Sequence, residues 1–356
     1  MLDNFYNNIE NFARKIDNRL VTYKKLKKLG KGAQITSVDY KNIIIPFWEK
    51  FGYKPKKYWY DLFCYGQDEI DPRYIPSDLY YGEILPYFSN MSFRRGFEDK
   101  NLHNVFFPHF NLPRTIAKNQ AGICYDAKGE IITYEDLIYL CEKEEKFLIK
   151  PAIDSGGGRL IELYDSEKMC KDKIRTLLGK FKNNYIVQEF IRQHPDLARI
   201  NESSINSVRI ITFLFEGKTH VLSQVLRMGV KGGHTDNVSA GGIQCNIKHD
   251  GKLEKKAADV YRNWSDHHPN GIEFKDITVP AFHKVRDICL REQKKLAHFK
   301  MVGWDFAIDV NGEPVFIEYN VCPGHNQMTS GPHFGDLTEA VLMEYFINKS
   351  YVDADN

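Results

Sequence analysis

Val302–Asn320 reads VGWDFAIDVNGEPVFIEYN, and it decides how the rest of the chain is understood. Two runs of β-branched and aromatic residues flank Asn311-Gly312, a strong hairpin signal, so the stretch predicts strand, turn, strand. Side chains at i and i+2 of a strand share a face, so Glu318 and Asn320 point the same way. The hairpin folds Asp305 back beside them. Two carboxylates and an amide oxygen on one face form a hard-oxygen set suited to Mg²⁺ carrying phosphates. The plainer reading is a hairpin with a polar wet face, and the rest of the chain weighs against it.

The 356 residues are long enough for two or three lobes, and a formal net charge of +2 gives no argument for a nucleic-acid or membrane partner. Seven cysteines are scattered without CxxC spacing. They imply neither a disulfide framework nor a zinc site and fit a reducing compartment. The N-terminus has no apolar signal core, and no run approaches the roughly 20 apolar residues that span a bilayer. The expectation is a soluble, cytoplasmic protein with no membrane-spanning segment.

Outward from the hairpin, Phe5, Ile9, Phe12, Ile16 and Leu20 recur at helical spacing and predict a helix over residues 1–30, ending in the lysine-rich KKLKKLGKG. Residues 40–95 are dense in aromatics and broken by prolines, which predicts short helices whose rings pack a core; the other use of such rings is to line a sugar site. Phe97–His109 predicts a short helix with Lys100 in its first turn, an unfavourable place for a cation unless it faces an anion. Phe147–Leu163, FLIKPAIDSGGGRLIEL, predicts strand, loop, strand. Lys150 closes the first strand, and the loop over Asp154–Gly158 allows backbone N–H groups to approach phosphate oxygens. It is not a Walker loop, because no GK[ST] follows. Ser166–Gly179 and Pro280–Phe299 predict helices, and Tyr185–Ile191, Asn206–Phe215 and His220–Val230 predict strands. Arg209 and Arg227 interrupt apolar strands, and a buried arginine needs an anionic partner. Lys231–Gly242, KGGHTDNVSAGG, is a loop of small polar residues at strand ends, where function concentrates.

In this order the signals resemble the ATP-grasp superfamily of carboxylate–amine ligases, from about Phe97 to the C-terminal helix. SVRIITF, LRMG…DNVSAGG and VGWDFAIDVNGEPVFIEYNVCPG look most like its sugar-transfer associated branch, which is associated with bacterial surface polysaccharide biosynthesis. The resemblance implies an α+β ATP-grasp fold. An N-terminal, mostly helical aromatic region (residues 1–95) would precede one lobe with a glycine lid (96–190) and another with the metal site (191–350). It implies ATP and Mg²⁺ as cofactors. Lys100 and Lys150 would hold phosphates under the amides of Ser155, Gly156, Gly157 and Gly158. Gln188, Glu189, Phe190 and Ile191 would contact adenine, and Asp196 or Glu202 the ribose. Asp305, Glu318 and Asn320 would hold metal, Arg209 or Arg227 would stabilise the transferred phosphoryl group, and Asn237 would act beside it. Lys231, His234, Asp236 and Asn237 would border the acceptor. The implied reaction joins a carboxylate, on a small molecule or saccharide such as a uronic acid, to an amine through an acyl phosphate. The alternatives are a ligase for a free amino acid or peptide, a non-ligating ATP-binding protein, or a kinase. The sequence assigns no oligomeric state.

Overall fold

The computed structural model describes residues 16–28, 35–67, 69–153, 160–230, 236–238 and 241–354. The glycine loop, with Ser155, Gly156, Gly157 and Gly158, lies outside them, as do Lys231 and His234. Two antiparallel sheets organise the chain. The smaller is built from β1 (Thr115–Gln120), β2 (Ile123–Asp126), β3 (Ile131–Ile132), β4 (Lys146–Pro151), β5 (Glu162–Asp165) and β6 (Tyr185–Glu189), in the order β3-β2-β1-β6-β4-β5. The larger contains β7 (Ser207–Phe215), β8 (Lys218–Met228), β9 (Ile243–Ile247), β10 (Leu253–Ala258), β11 (Trp264–Ser265), β12 (Met301–Ile308) and β13 (Pro314–Asn320), in the order β11-β10-β9-β8-β7-β12-β13. Helices pack on both, so the α+β expectation holds.

Each sheet carries a helix against an apolar face. The helix Tyr134–Glu142 starts at a reciprocal capping box: the Asp136 N–H donates to Thr133 Oγ1, and the Thr133 N–H donates to the Asp136 carboxylate. Its Leu137, Ile138 and Cys141 bury against Phe147, Ile149, Tyr185 and Val187 of the small sheet. The helix Phe282–Glu292 buries Phe282, Val285 and Cys289 against Val208, Ile210, Leu226 and Trp304 of the large sheet. The aromatic region becomes core rather than a sugar-lined wall: Trp48, Trp59, Tyr60 and Tyr80 are fully buried. They share one cluster with Phe213, Phe215 and Met301 of the large sheet and with Val341, Leu342 and Tyr345 of the final helix Thr338–Ala354.

Three helices are shorter than the sequence predicts, each for a local reason. Asp165 accepts the Glu167 N–H and its carbonyl accepts those of Lys168 and Met169, so a turn forms and the helix waits until Asp172–Leu178. Asp99 accepts the Asn101 N–H, which divides Phe97–His109 into a 3-10 turn, Lys100–Leu102, and a short helix, His103–Phe106. The Phe282–Glu292 helix tightens to 3-10 at Gln293–Leu296, where the fully buried Gln293 amide donates to the Phe299 carbonyl and accepts from Thr212 Oγ1. Among the described residues no helix is long and apolar enough to cross a membrane.

Candidate active site

The hairpin closes with a three-residue loop rather than a two-residue one. The Gly312 N–H donates to the Asp309 carbonyl, the Asp309 N–H to the Glu313 carbonyl, and Gly312 takes φ +78°, which suits glycine. This register sets Asp305 directly opposite Glu318, and Gly303 opposite Asn320. A β-bulge follows between Asp305 and Phe306. Beyond it strict alternation fails: Phe316 and Tyr319 face the core, while Ile317 and Glu318 both line a cavity. The shared polar face read from the sequence is therefore present, with an apolar neighbour that simple alternation puts on the other side.

The cavity, about 530 Å³, lies between the two sheets. Its apolar lining includes Leu148, Ile161, Leu163, Met169, Phe190 and Ile317. Its charged lining includes Lys100, Lys150, Arg227, Asp236, Asp305 and Glu318, with Glu162, Asp165 and Lys168 on the side of β5. The turn that shortens the 166–179 helix brings Lys168 and Met169 to its rim.

The charges are paired. Arg209 reaches across from β7 and binds both oxygens of Asp305 through Nε and Nη2, both groups being almost fully buried. Arg227 Nη1 adds a second contact to Asp305 at 3.7 Å. The buried strand arginine thus has its anionic partner, as its place in an apolar run requires. Lys100 Nζ is 3.0 Å from Glu318 Oε2, so the cation in the first turn does face an anion, one from this chain. Lys150 Nζ lies 3.3 Å from Gln188 Oε1. Burial lowers the Lys150 amine to about 8, with Lys100 adding to the effect and Glu318 opposing it. Burial pushes Glu318 upward, but Lys100, Arg209 and Lys150 outweigh it and hold the carboxyl at about 2. Asp236 is raised, chiefly by burial, against the opposing pull of Arg227 and of Ser207, whose N–H and hydroxyl both donate to Asp236 Oδ2.

Of the residues singled out from the sequence, Lys100, Lys150, Phe190, Ile191, Arg227, Asp236, Asn237, Asp305 and Glu318 line one cavity. Arg209 acts on it through Asp305. Asn320 adjoins it on the same strand face, with a buried Nδ2 that finds no partner. Gln188, Glu189, Asp196 and Glu202 are not among the residues lining the cavity. Glu189 turns its carboxylate to the Arg114 N–H at 2.9 Å and to the Arg114 guanidinium, away from the cavity. The Gln188 amide is occupied by Lys150 and the Pro113 carbonyl. Asp196 sits in the first turn of Pro195–Ala198 with its side chain 59% exposed beside His194, and neither it nor Glu202 lines the cavity.

Apart from Phe190, the apolar lining was not singled out in advance. Leu148 and Leu163 are strand positions that read as ordinary core, and only their flanking of Lys150 and the glycine loop could have marked them. Ser204 and Ser207 carry no local signal. His103 is buried against Phe316 and Tyr319, and burial, reinforced by Lys100, lowers its imidazole to about 3.

The donor chemistry suits a divalent cation. Asp305, Glu318 and Asn320 offer hard oxygens on adjacent strands, and the orphaned Asn320 amide is available to turn. Among the described residues no group of three or more His, Cys, Asp or Glu gathers around one point, so the amide oxygen is needed to complete the set.

A structural comparison finds D-alanyl-alanine synthetase A from Vibrio cholerae at 10% identity and a TM-score of 0.43, covering 71% of this chain and 66% of that one. It also finds the VanG D-Ala:D-Ser ligase from Enterococcus faecalis at 15% and 0.42, covering 70% and 61%. The biotin carboxylase domain of the Hydrogenobacter thermophilus 2-oxoglutarate carboxylase, solved with MgADP, follows at 10% and 0.42, covering 69% and 45%. The present chain therefore spans two thirds or less of their lengths, and these likenesses concern backbone architecture alone. A comparison with curated proteins returns no match. The family model described as sugar-transfer associated ATP-grasp matches residues 86–341, a span that takes in both sheets and every charged residue of the cavity, and the chain belongs to that family.

Proposed function

We propose that this protein is an ATP-dependent ligase that joins a carboxylate to an amine, with a saccharide carboxylate of the uronic-acid type as the acid. The observation that carries the reading is one cavity lined both by apolar side chains and by a paired set of cations and carboxylates. The apolar lining of Leu148, Leu163, Phe190 and Ile317 suits a flat purine. Lys100 and Lys150 suit the phosphate chain, and Arg227 the transferred group. Mg²⁺ held by Asp305, Glu318 and Asn320 would neutralise charge on the phosphates. A carboxylate is a poor acyl donor, and phosphorylating one of its oxygens creates a leaving group that the amine displaces as phosphate. The cations need only spread negative charge over the transferred phosphoryl group and keep water out until the amine arrives. The saccharide context rests on family membership alone.

The test is coupled ADP release across uronic acids, nucleotide uronates, amino acids and amino alcohols. Release is expected only with both an acid and an amine present, and an acid labelled with heavy oxygen should pass one labelled atom to inorganic phosphate per turnover. Formation of AMP and pyrophosphate, or unlabelled phosphate accompanying amide, would exclude the acyl phosphate. A phosphorylated alcohol as product would make the protein a kinase.

Lys150 gives a separate expectation. Its amine is charged below about 8 and neutral above. The dissociation constant for ATP should hold steady near neutral pH and then rise, by up to about tenfold per unit, once pH exceeds that value. Adenosine binding, measured by the same calorimetry, should stay flat. Lys150→Arg keeps its charge throughout and should remove the alkaline weakening. Equal pH dependence for ATP and adenosine would place Lys150 outside phosphate binding.

A further inference from the structure

The helix over residues 16–28 is oriented the wrong way for a helix that only packs on its own protein. Its buried side is mostly polar: Thr22 is 4% exposed and Asn18 and Lys25 are half-buried, while Arg19, itself exposed, ion-pairs with Asp78 at 2.8 Å at the edge of that side. Leu26 is the one apolar residue on that side that joins the neighbouring core. Ile16, Leu20 and Tyr23, at i, i+4 and i+7, project outward with 43%, 56% and 69% of their surface exposed. At the angular step of an α-helix they lie within about 60° of one another, a continuous apolar stripe. Lys24 emerges beside the same stripe and Lys27 continues its line one turn beyond Tyr23, both exposed and without an ion pair among the described residues, and Lys28 follows, with its ammonium over the Tyr261 ring at 3.8 Å. The segment carries five cations and one carboxylate in a chain whose net charge is only +2.

From this inverted face we infer that residues 16–28 form an interfacial helix that seats the protein on an anionic lipid surface. The stripe would enter the boundary between headgroups and acyl chains. Lysine stems can lie along it while their ammonium groups remain among lipid phosphates, and the tyrosine suits the interface. The charge chooses the occupant. A second copy would bring the same lysines against these ones, whereas an anionic bilayer complements them. The inference is independent of the proposed reaction and agrees with the absence of a spanning helix among the described residues.

The test is co-sedimentation of the full chain with phosphatidylcholine vesicles, with and without phosphatidylglycerol. The protein should pellet with the anionic vesicles, stay in solution with the neutral ones, and be released by salt. Lys24→Glu/Lys27→Glu should weaken partitioning by about tenfold or more, and Leu20→Asp should weaken it comparably. Both act at exposed positions, and circular dichroism checks their folding; Tyr23→Ser carries the test should Leu20→Asp not fold. The inference is overturned by a wild-type protein that stays in solution with anionic vesicles, by equal binding to both vesicle types, or by variants that pellet like wild type. A lipid-free dimer in sedimentation velocity that Leu20→Asp dissolves would assign the stripe to a second copy and overturn it equally.

Discussion

Glu318→Ala is expected to lower kcat by roughly 10²–10³-fold or more while the protein stays folded. Glu318 is where the charged elements of the cavity meet: it faces Lys100 at 3.0 Å, sits opposite Asp305 across the hairpin, and feels Arg209 and Lys150. Those cations hold it ionised far below neutral pH, so a hard anionic oxygen is present at every working pH. The same geometry implies an exchange on loading. Phosphates would draw Lys100 away, and the freed carboxylate would take metal. Removing the carboxylate should raise the Mg²⁺ concentration needed for half-maximal turnover and leave adenosine binding intact. Folding should suffer little, because the bulge leaves the Glu318 side chain 28% exposed and Lys100 can turn toward the open cavity. Turnover near wild type at ordinary Mg²⁺, with unaltered metal dependence, would remove Glu318 from the metal set.

Much of this site was legible before any coordinates, for identifiable reasons. Arg209 and Arg227 announced themselves because a charge in an apolar strand needs a partner, and the partner is Asp305. Lys100 announced itself by standing against the helix dipole. The i, i+2 rule placed Glu318 and Asn320 correctly because their strand is regular at that end. It says nothing of Ile317, which the bulge brings to the same cavity, and nothing in VFIEYN marks a bulge. Glu189 and Asp196 lie off the cavity for another reason. An acidic residue at a strand end or in a helix's first turn has the right chemistry for a ribose or a base, but its direction depends on long-range neighbours, Arg114 in one case and solvent in the other. The helix over residues 16–28 shows the same limit. Its periodicity was plain in the sequence, yet periodicity cannot say which face turns toward the protein.

At the Arg209–Asp305 pair one buried contact bears on both stability and the charge of the cavity. Both side chains are about 5% exposed, and two nitrogens of the guanidinium engage both carboxylate oxygens. Asp305→Ala should cost about 3–5 kcal/mol in urea unfolding, because it strands a buried guanidinium with only distant help from Glu318 and Asp236. Arg209→Met/Asp305→Leu removes both charges and should cost clearly less than Asp305→Ala alone, since no uncompensated ion is left. Gly303→Ala offers a gentler probe. A Cβ there would stand 3.2 Å from Arg209 Nη1 and 3.1 Å from Pro323 Cβ, so it should shift the guanidinium against its carboxylate by a few tenths of an ångström without deleting either group. If the pair also supports phosphoryl transfer, the double variant will be well folded yet inactive, and Gly303→Ala will lose turnover out of proportion to its loss of stability. A double variant that is both stable and active would reduce the pair to a structural clamp. A cost below about 1 kcal/mol for Asp305→Ala would show instead that water reaches Arg209 once the carboxylate is gone, and that the floor of the cavity is wetter than its burial implies.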